Sequence, residues 1–460
     1  MELFDRIRGW FSMLVRRKAK DEFNIEPISS EQMQSWINEC VNIYQGNPCW
    51  LNEEDHIDTI NMAKALCSET ARLVTMGIGI KLDGSARAKW LQKQINKVYF
   101  QLRHWVEYGC AYGTIILKPN GEDIDLYTPD KFEITHVNNG VIDGVIFHNW
   151  KQVDKKWYTR LEYHRFDGDM YLISNKCYLG DRPDDTKERV DIATTPWSDL
   201  AEEAAISNMQ KPLFGVFRTP QANNIDMNSP YGLPIFSEAV QELRDLDIAY
   251  SRNSKEILDS KRLVMLDADR VLPGGGMGEL NRINMPDYIK LVDGDTSVES
   301  DIYHEINPKL DTDTRVSGIN FLLSLIGFKS GFSNGHFVFN QKTGRITARE
   351  VESDDARTIQ TTKDVRDKLE SCLDGLIYAL DVFATLYRLA PMGAYEAVYD
   401  FGDITYNRDE DRTRWWGYVQ AGKVPAWRFF VKFEGMTEKE AKEMTEEAQP
   451  KSPTLFGGEE

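Results

Sequence analysis

Few stretches of this 460-residue chain combine residue types and spacing in a way that chemistry could use. The glycine run Gly274-Gly-Gly-Met-Gly278 invites comparison with a phosphate cradle. No Lys-Ser/Thr pair follows it and the GxGxxG spacing is absent, so it reads as a flexible turn. Lys342-Thr-Gly344 matches one short motif of serine β-lactamases, but the partner motifs SxxK and SDN are missing and the match is coincidental. There is no HExxH and no CxxC pair, which removes the common zinc sites. Ser68 lacks a GxSxG elbow, and the seven histidines are dispersed. Glu352, Asp354 and Asp355 could hold Mg²⁺ as in a metal-dependent nuclease, although carboxylates grouped on a charged helix more often form a solvated face. No catalytic residue, cofactor or metal ligand is assigned on this basis.

What remains is a pattern of charge. From Thr314 to Arg349 there is no Asp or Glu, where about six would be expected from 73 acidic residues in 460. The same stretch carries Arg315, Lys329, His336, Lys342, Arg345 and Arg349. A weakly cationic segment in a chain of net charge -18 can touch a polyanion without gripping it, because each neutralised phosphate releases counterions and adds affinity. Gly331, Gly335 and Gly344 would let such a loop move. The alternative is an apolar loop buried within the subunit, and Phe328, Phe332, Phe337 and Phe339 favour that.

The elements that must position this segment follow from hydrophobic periodicity. Leu3, Phe4, Ile7, Trp10, Phe11, Leu14 and Val15 form one stripe of a basic amphipathic helix, fitted either to a membrane surface or to a partner subunit. Helical spacing continues from about Ser30 to Tyr108, with Met62, Leu66, Leu73 and Val74 on one helix. Leu91, Ile95, Val98, Leu102, Trp105 and Val106 read as another, with Gly77 and Gly79 between them. Short apolar runs then alternate with Pro119-Asn-Gly121, Thr128-Pro-Asp130, Asn138-Asn-Gly140, Asp143-Gly144 and Asp167-Gly168, which predicts one antiparallel meander. A polar loop is expected from Gly180 to Gln210, and Phe214–Phe217 as a further strand.

Ser229-Pro230 opens a long element in which Ile235–Leu263, free of Gly and Pro, reads as a helix of roughly 40 Å at 1.5 Å per residue. A turn-rich insert occupies Lys261–Pro308, a shorter helix Asp311–Phe328, and a Gly/Phe/Ser/Asn loop Gly327–Gly344. Thr347–Leu389 has the stripe of a very long helix, ended by Pro391. The tail is helical and charged, Thr437 and Glu440 form a capping-box pattern, and residues after Pro450 read as disordered.

Composition sets the outer bounds. Hydrophobic residues at 41% and charged residues at 28% suit a water-soluble globular chain of more than one packed region, with no apolar run of membrane-spanning length. Six scattered cysteines read as free thiols of a reducing cytoplasm.

The order of elements, and the strings Leu66-Cys-Ser-Glu-Thr-Ala-Arg-Leu73, Glu107-Tyr-Gly-Cys-Ala-Tyr-Gly113, Asn228-Ser-Pro-Tyr-Gly-Leu-Pro234, Phe337-Val-Phe-Asn-Gln-Lys-Thr-Gly-Arg-Ile-Thr-Ala-Arg-Glu-Val351 and Phe401-Gly-Asp403, resemble the portal proteins of long-tailed bacteriophages. The resemblance covers roughly residues 40 to 440. It implies an α+β portal fold: an N-terminal amphipathic helix (1–25), a mixed wing (26–230), stem helix 1 (231–260), a clip (261–308) and stem helix 2 (309–328). A tunnel loop (329–346), a long helix returning to the wing (347–400) and a helical crown with a disordered tail (401–460) complete it. It further implies a non-enzymatic, dodecameric ring at a capsid vertex of the virion, assembled in the host cytoplasm. The implied partners are the terminase large subunit, the head–tail connector or adaptor, the major capsid and scaffolding proteins, and double-stranded DNA in the channel. Lys329, His336, Lys342, Arg345 and Arg349 then become the DNA-proximal residues, with no cofactor and no metal. Another virion structural ring or capsid-associated protein, or a metal-dependent nuclease, is the alternative.

Overall fold

In a computed structural model of the chain, the described residues are 18–447 apart from 27, 52–55, 122, 184, 261–262, 268–288, 293–302, 307–311, 339–354 and 403–407. The chain is mixed α+β and divides into two compact units, Met1–Phe401 and Gly402–Glu460.

Residues 18–23 are helical, and Ala19 is buried against Ile146, Leu161, Tyr163 and Tyr178 on a sheet face. The N-terminal amphipathic stripe itself, Leu3 to Val15, lies outside the described residues. Helix α1 (Glu31–Tyr44) starts where the Ser30 side chain accepts the Met33 N–H, and it buries Met33, Ile37, Cys40 and Ile43. Helix α2 (Met62–Thr75) is capped by Asn61 and followed by Gly77 at φ +70°, after which β1 (Gly79–Asp83) begins. The stripe from Leu91 to Val106 is two helices rather than one: α3 (Ala86–Val98) and α4 (Leu102–Tyr112) are separated by a 3₁₀ turn at Tyr99–Gln101. The apolar stripe continues across the break, so the sequence reads through it. The Tyr99 hydroxyl donates to the Ile78 carbonyl and ties the chain down there.

The predicted meander is split. Its strands are β2 (Thr114–Asn120), β3 (Asp123–Tyr127), β4 (Phe132–Asn138), β5 (Val141–Val153), β6 (Lys156–Asp167) and β7 (Met170–Gly180). The predicted loop that follows contains β8 (Glu188–Val190), a 3₁₀ turn at Ile192–Thr194 and β9 (Glu203–Ser207), and then comes β10 (Gly215–Arg218). Strands β10-β2-β3 form one antiparallel sheet, and β4-β5-β6-β7-β8 form another, with β9 also paired to β7. The loop expected there gives way to strands because both short segments complete an edge of β7, against Cys177–Leu179 and Met170–Ser174.

Turn chemistry placed three hairpins correctly, the first at Gly121, φ +65°, between β2 and β3. Asn139 and Gly140 take φ of +47° and +77°, and Gly168 takes +59°. Asp143-Gly144 is no turn: it lies inside β5, opposite a bulge, where a Cβ on Gly144 would come 2.7 Å from His136 Cβ.

Residues Ser229–Ser237 are buried and precede the next helix instead of opening it. Gly232 donates its N–H to Thr114 Oγ1, and Ile235 donates to the Cys110 carbonyl, so backbone docking replaces helix formation. Helix α5 runs Val240–Asp259. Strands β11 (Leu263–Asp267), β12 (Ile289–Val292) and β13 (Tyr303–Ile306) form a small mixed sheet in the order β12-β11-β13. Helix α6 (Thr312–Lys329) follows, then α7 (Ala356–Leu386), about 46 Å long at 1.5 Å per residue, and β14 (Glu396–Asp400), which pairs antiparallel with β1.

Two glycines let α7 cross the β10-β2-β3 sheet. A Cβ on Gly375 would lie 3.0 Å from Gly215 Cα, and one on Gly215 would collide with the Cys372 carbonyl. Two buried arginines then fix α7, one within its first half and one at its C-terminal end. Arg366, on α7, donates to the Leu73 and Val74 carbonyls that α2 leaves open. Arg87, on α3 and 1% exposed, donates to the carbonyls of Asp381, Ala390 and Pro391 at the other end of α7.

The second unit contains α8 (Arg408–Gln420), α9 (Ala426–Glu434) and α10 (Glu438–Glu447), gathered around Phe429, Phe433 and Ala441. Glu440 accepts the Thr437 N–H at 3.0 Å while Thr437 Oγ1 accepts the Glu440 N–H at 3.4 Å, the capping box read from the sequence.

Candidate functional site

The acid-free stretch begins within a helical hairpin. Glu242, near the start of α5, meets Lys329 at the end of α6 at 2.5 Å, and Glu256, near the end of α5, pairs with Arg315 near the start of α6. The two helices are therefore antiparallel, and the β12-β11-β13 sheet lies between them in the chain. The base of α5 is fixed from the side. Buried Asp247 accepts from Trp50 Nε1 at 2.9 Å and the Ile60 N–H at 3.1 Å, and Ser251 Oγ bonds the backbone of Asp58. Burial pushes the Asp247 carboxyl above its ordinary range, and those two donors oppose the shift.

Away from this anchor the hairpin is not covered. Leu243, Leu246, Leu323 and Ile326 are buried, but Tyr250, Ile257, Leu258, Phe321 and Phe328 are exposed, Leu258 to 68% and Phe321 to 67%. Leu322, Leu323, Leu325 and Ile326 widen the apolar face of α6 and leave Asn320 and Ser324 as a narrow polar strip. An apolar face this wide belongs against a further packed surface.

The segment after α6 is a buckled turn. Gly331, at φ +87°, accepts Thr361 Oγ1 through its carbonyl at 2.8 Å. Ser333 donates its N–H to Thr358 Oγ1, Thr358 returns its own N–H to Ser333 Oγ, and Phe332 is buried between. Arg357 stacks 4.0 Å over the Phe328 ring and donates to the Phe328 carbonyl. His336 Nε2 lies 3.3 Å from Glu69 of α2, and its ring packs against Phe332 and Phe337. The guanidinium of Arg72 holds the Glu69 carboxyl below its ordinary range, so His336 faces an anion.

Of the five residues singled out in the sequence, Lys329 and His336 are thus described, and each faces a carboxylate of its own chain. The fold brings them to different partners, Glu242 on α5 and Glu69 on α2. Lys342, Arg345 and Arg349 lie outside the described residues, as do Phe339, Glu352 and Asp354.

One cluster of ionisable groups escaped sequence reading. Arg160, Glu162 and His164 alternate along β6 and so share one face, where Lys118 of β2 joins them. Glu162 accepts from Lys118 Nζ at 2.8 Å, Arg160 Nη2 at 2.9 Å and His164 Nε2 at 2.9 Å. A carboxylate can only accept, so the His164 proton sits on Nε2 and Nδ1 accepts from the Tyr171 hydroxyl at 2.9 Å. Burial alone would raise the Glu162 carboxyl, but the attraction of Lys118 and Arg160 and the His164 N–H outweigh it and hold it well below the usual range. All four groups, three of them charged, are sealed from solvent, so the cluster is built to hold two sheets together rather than to meet a substrate.

A cleft of about 720 Å³ lies between the β4–β5 hairpin and α7, lined by Asn138, Asp143, Lys211, Arg218, Lys368 and Ser371 among others. It has no histidine or cysteine, and its one carboxylate, Asp143, is 2.6 Å from His136 Nδ1. Among the described residues no group of His, Cys, Asp and Glu is arranged to hold a metal ion, and no helix is long and apolar enough to cross a membrane. All six cysteines are free thiols, five of them buried. No protein-family model matches the chain, and no curated protein matches it either.

Proposed function

We propose that this chain is the portal subunit of a tailed bacteriophage, one copy of a closed ring at a capsid vertex through which DNA enters and leaves. The α5–α6 hairpin is the stem, the β12-β11-β13 sheet belongs to the clip, and α7 is the long helix that crosses back to the wing. The clip docks the terminase large subunit during packaging and the head–tail connector or adaptor afterwards, and the outer surface meets major capsid and scaffolding proteins. The ring is dodecameric by resemblance, and its place is the virion.

The single observation that carries this reading is the uncovered apolar hairpin. A cyclic ring needs heterologous contacts, in which one face of each subunit meets a different face of the next. A stem exposing Ile257, Leu258 and Phe321 fits that need. The pairing of Lys329 and His336 within the chain shifts the expected DNA contact toward Lys342, Arg345 and Arg349, beyond the buckled turn.

The test uses one homogeneous preparation and two readouts. Light scattering should give a narrow mass many times the 52.9 kDa of one chain. The same fractions, with Mg²⁺ and ATP, should release no phosphate and leave duplex DNA uncut. A monomeric mass, or turnover that survives purification to homogeneity, overturns the proposal.

A further inference from the structure

The cleft of about 720 Å³ between the β4–β5 hairpin and α7 gathers cations from three elements around an apolar floor. Lys211 precedes β10, Arg218 ends β10, and Lys368 lies on α7. Arg218 donates through Nη1 to the Pro230 carbonyl at 3.3 Å, which fixes the guanidinium and leaves Nε and Nη2 unengaged among the described residues. Lys211 and Lys368 are exposed and form no ion pair among the described residues. The one carboxylate of the cleft, Asp143, is already taken by His136 Nδ1. Asp167, Asp169, Asp364, Asp367, Glu370 and Asp374 are close in sequence to lining residues but do not line it. In a chain of net charge -18 the cleft is therefore a local excess of positive charge.

The floor is apolar. Ile142 and Phe214 are buried, Phe166 and Val216 are half-buried, and Val141 at the edge is 57% exposed. Val216 and Arg218 alternate along β10, so one strand face supplies both floor and cation. Asn138, Gln210 and Ser371 add neutral hydrogen-bonding groups at the exposed rim.

We propose that this cleft binds an acidic peptide segment of a partner protein, with an apolar side chain on the floor and flanking carboxylates on Lys211, Arg218 and Lys368. Charge complementarity selects the carboxylates. The floor selects a peptide over nucleic acid, because a phosphodiester chain would meet the cations and leave Ile142, Phe166 and Val216 uncovered. The exposed rim suits a chain that enters and leaves, whereas a small ligand is normally enclosed over most of its surface. The inference goes beyond the portal reading and holds for a single chain as for a ring.

The experiment is isothermal titration calorimetry of the full-length protein with the synthetic peptide Gly-Glu-Glu-Leu-Gly-Phe-Glu-Glu-Gly-Gly. Wild type should bind it with a Kd below about 1 mM at low salt, and more weakly as salt rises. The Lys211→Glu, Lys368→Glu double variant should bind roughly tenfold more weakly, and the corresponding double Arg variant like wild type. Peptides with Gln for Glu, or with Ala for Leu and Phe, should each lose about fivefold or more. Laurate and oligothymidylate should fail to displace the peptide. Absence of binding up to about 1 mM overturns the proposal, as does unchanged affinity in the double Glu variant or displacement by laurate or oligothymidylate. Should that variant fail to fold, Ser371→Trp decides: it fills the cleft from an exposed position on α7, and wild-type affinity there is equally fatal.

Discussion

Replacing Glu162 with alanine is expected to destabilise the first unit by on the order of 3–5 kcal/mol, measured by urea unfolding. The magnitude comes from what is left behind. Lys118 and Arg160 are both buried, and both point their charge at this one carboxylate. Without it the two cations repel each other in a medium that solvates neither. His164 also loses its acceptor, although its Nδ1 keeps the Tyr171 hydroxyl. Glu162→Gln should be nearly as harmful despite its shape, because the charge is the missing part.

Acid should act on the same cluster. The Glu162 carboxyl is held well below its ordinary 4.5, so the folded state releases this proton more readily than the unfolded one. Its contribution is therefore complete above about pH 4.5 and lost as pH falls through the folded value. The His164 ring is pushed below its ordinary 6.5, chiefly by burial, so unfolded chains take up a proton first as pH drops through 6.5. Both groups make the wild type acid-labile. The Glu162→Ala variant should show a shallower loss of stability below about pH 4.5.

The second large effect concerns the hairpin. Leu258→Glu with Phe321→Glu should leave the subunit folded and abolish the assembly. Both side chains are more than half exposed in the single chain, and surface substitutions of that kind usually move stability by less than about 0.5 kcal/mol. Buried against a neighbour, each apolar side chain would contribute roughly 1.5–3 kcal/mol. Losing two per interface weakens each contact by at least about a hundredfold, and a ring repeats that loss at every joint. Sedimentation should show the mass dropping to one chain with an unchanged circular dichroism spectrum. An unchanged mass would mean that the apolar hairpin face is not an assembly surface.

What the sequence disclosed was local. The capping box at Thr437 and Glu440, the φ-positive turn at Asn139-Gly140 and the stripe of α7 all depend on residues within a turn or two of one another. What it hid depends on distant neighbours. Asp143-Gly144 has turn composition, yet it continues a strand because His136 and Thr135 leave no room for a side chain there. Strand β10 joins β2 across about a hundred residues, which no periodicity announces. Arg87 and Arg366 look like surface charges and are buried caps of helix ends. The acid-free stretch suggested unopposed cations at Lys329 and His336, but their carboxylates arrive from 87 and 267 residues away. The polar alternation Arg160, Glu162, His164 reads as the wet face of a strand until Lys118 is seen opposite.

Electron microscopy of the purified wild-type chain tests the central claim most directly. The expected image is a closed ring with a central bore in end view, and a stem narrower than the wing in side view. Particles the size of a single chain, two-fold dimers or open filaments would contradict the portal reading, whatever the individual helices and sheets look like.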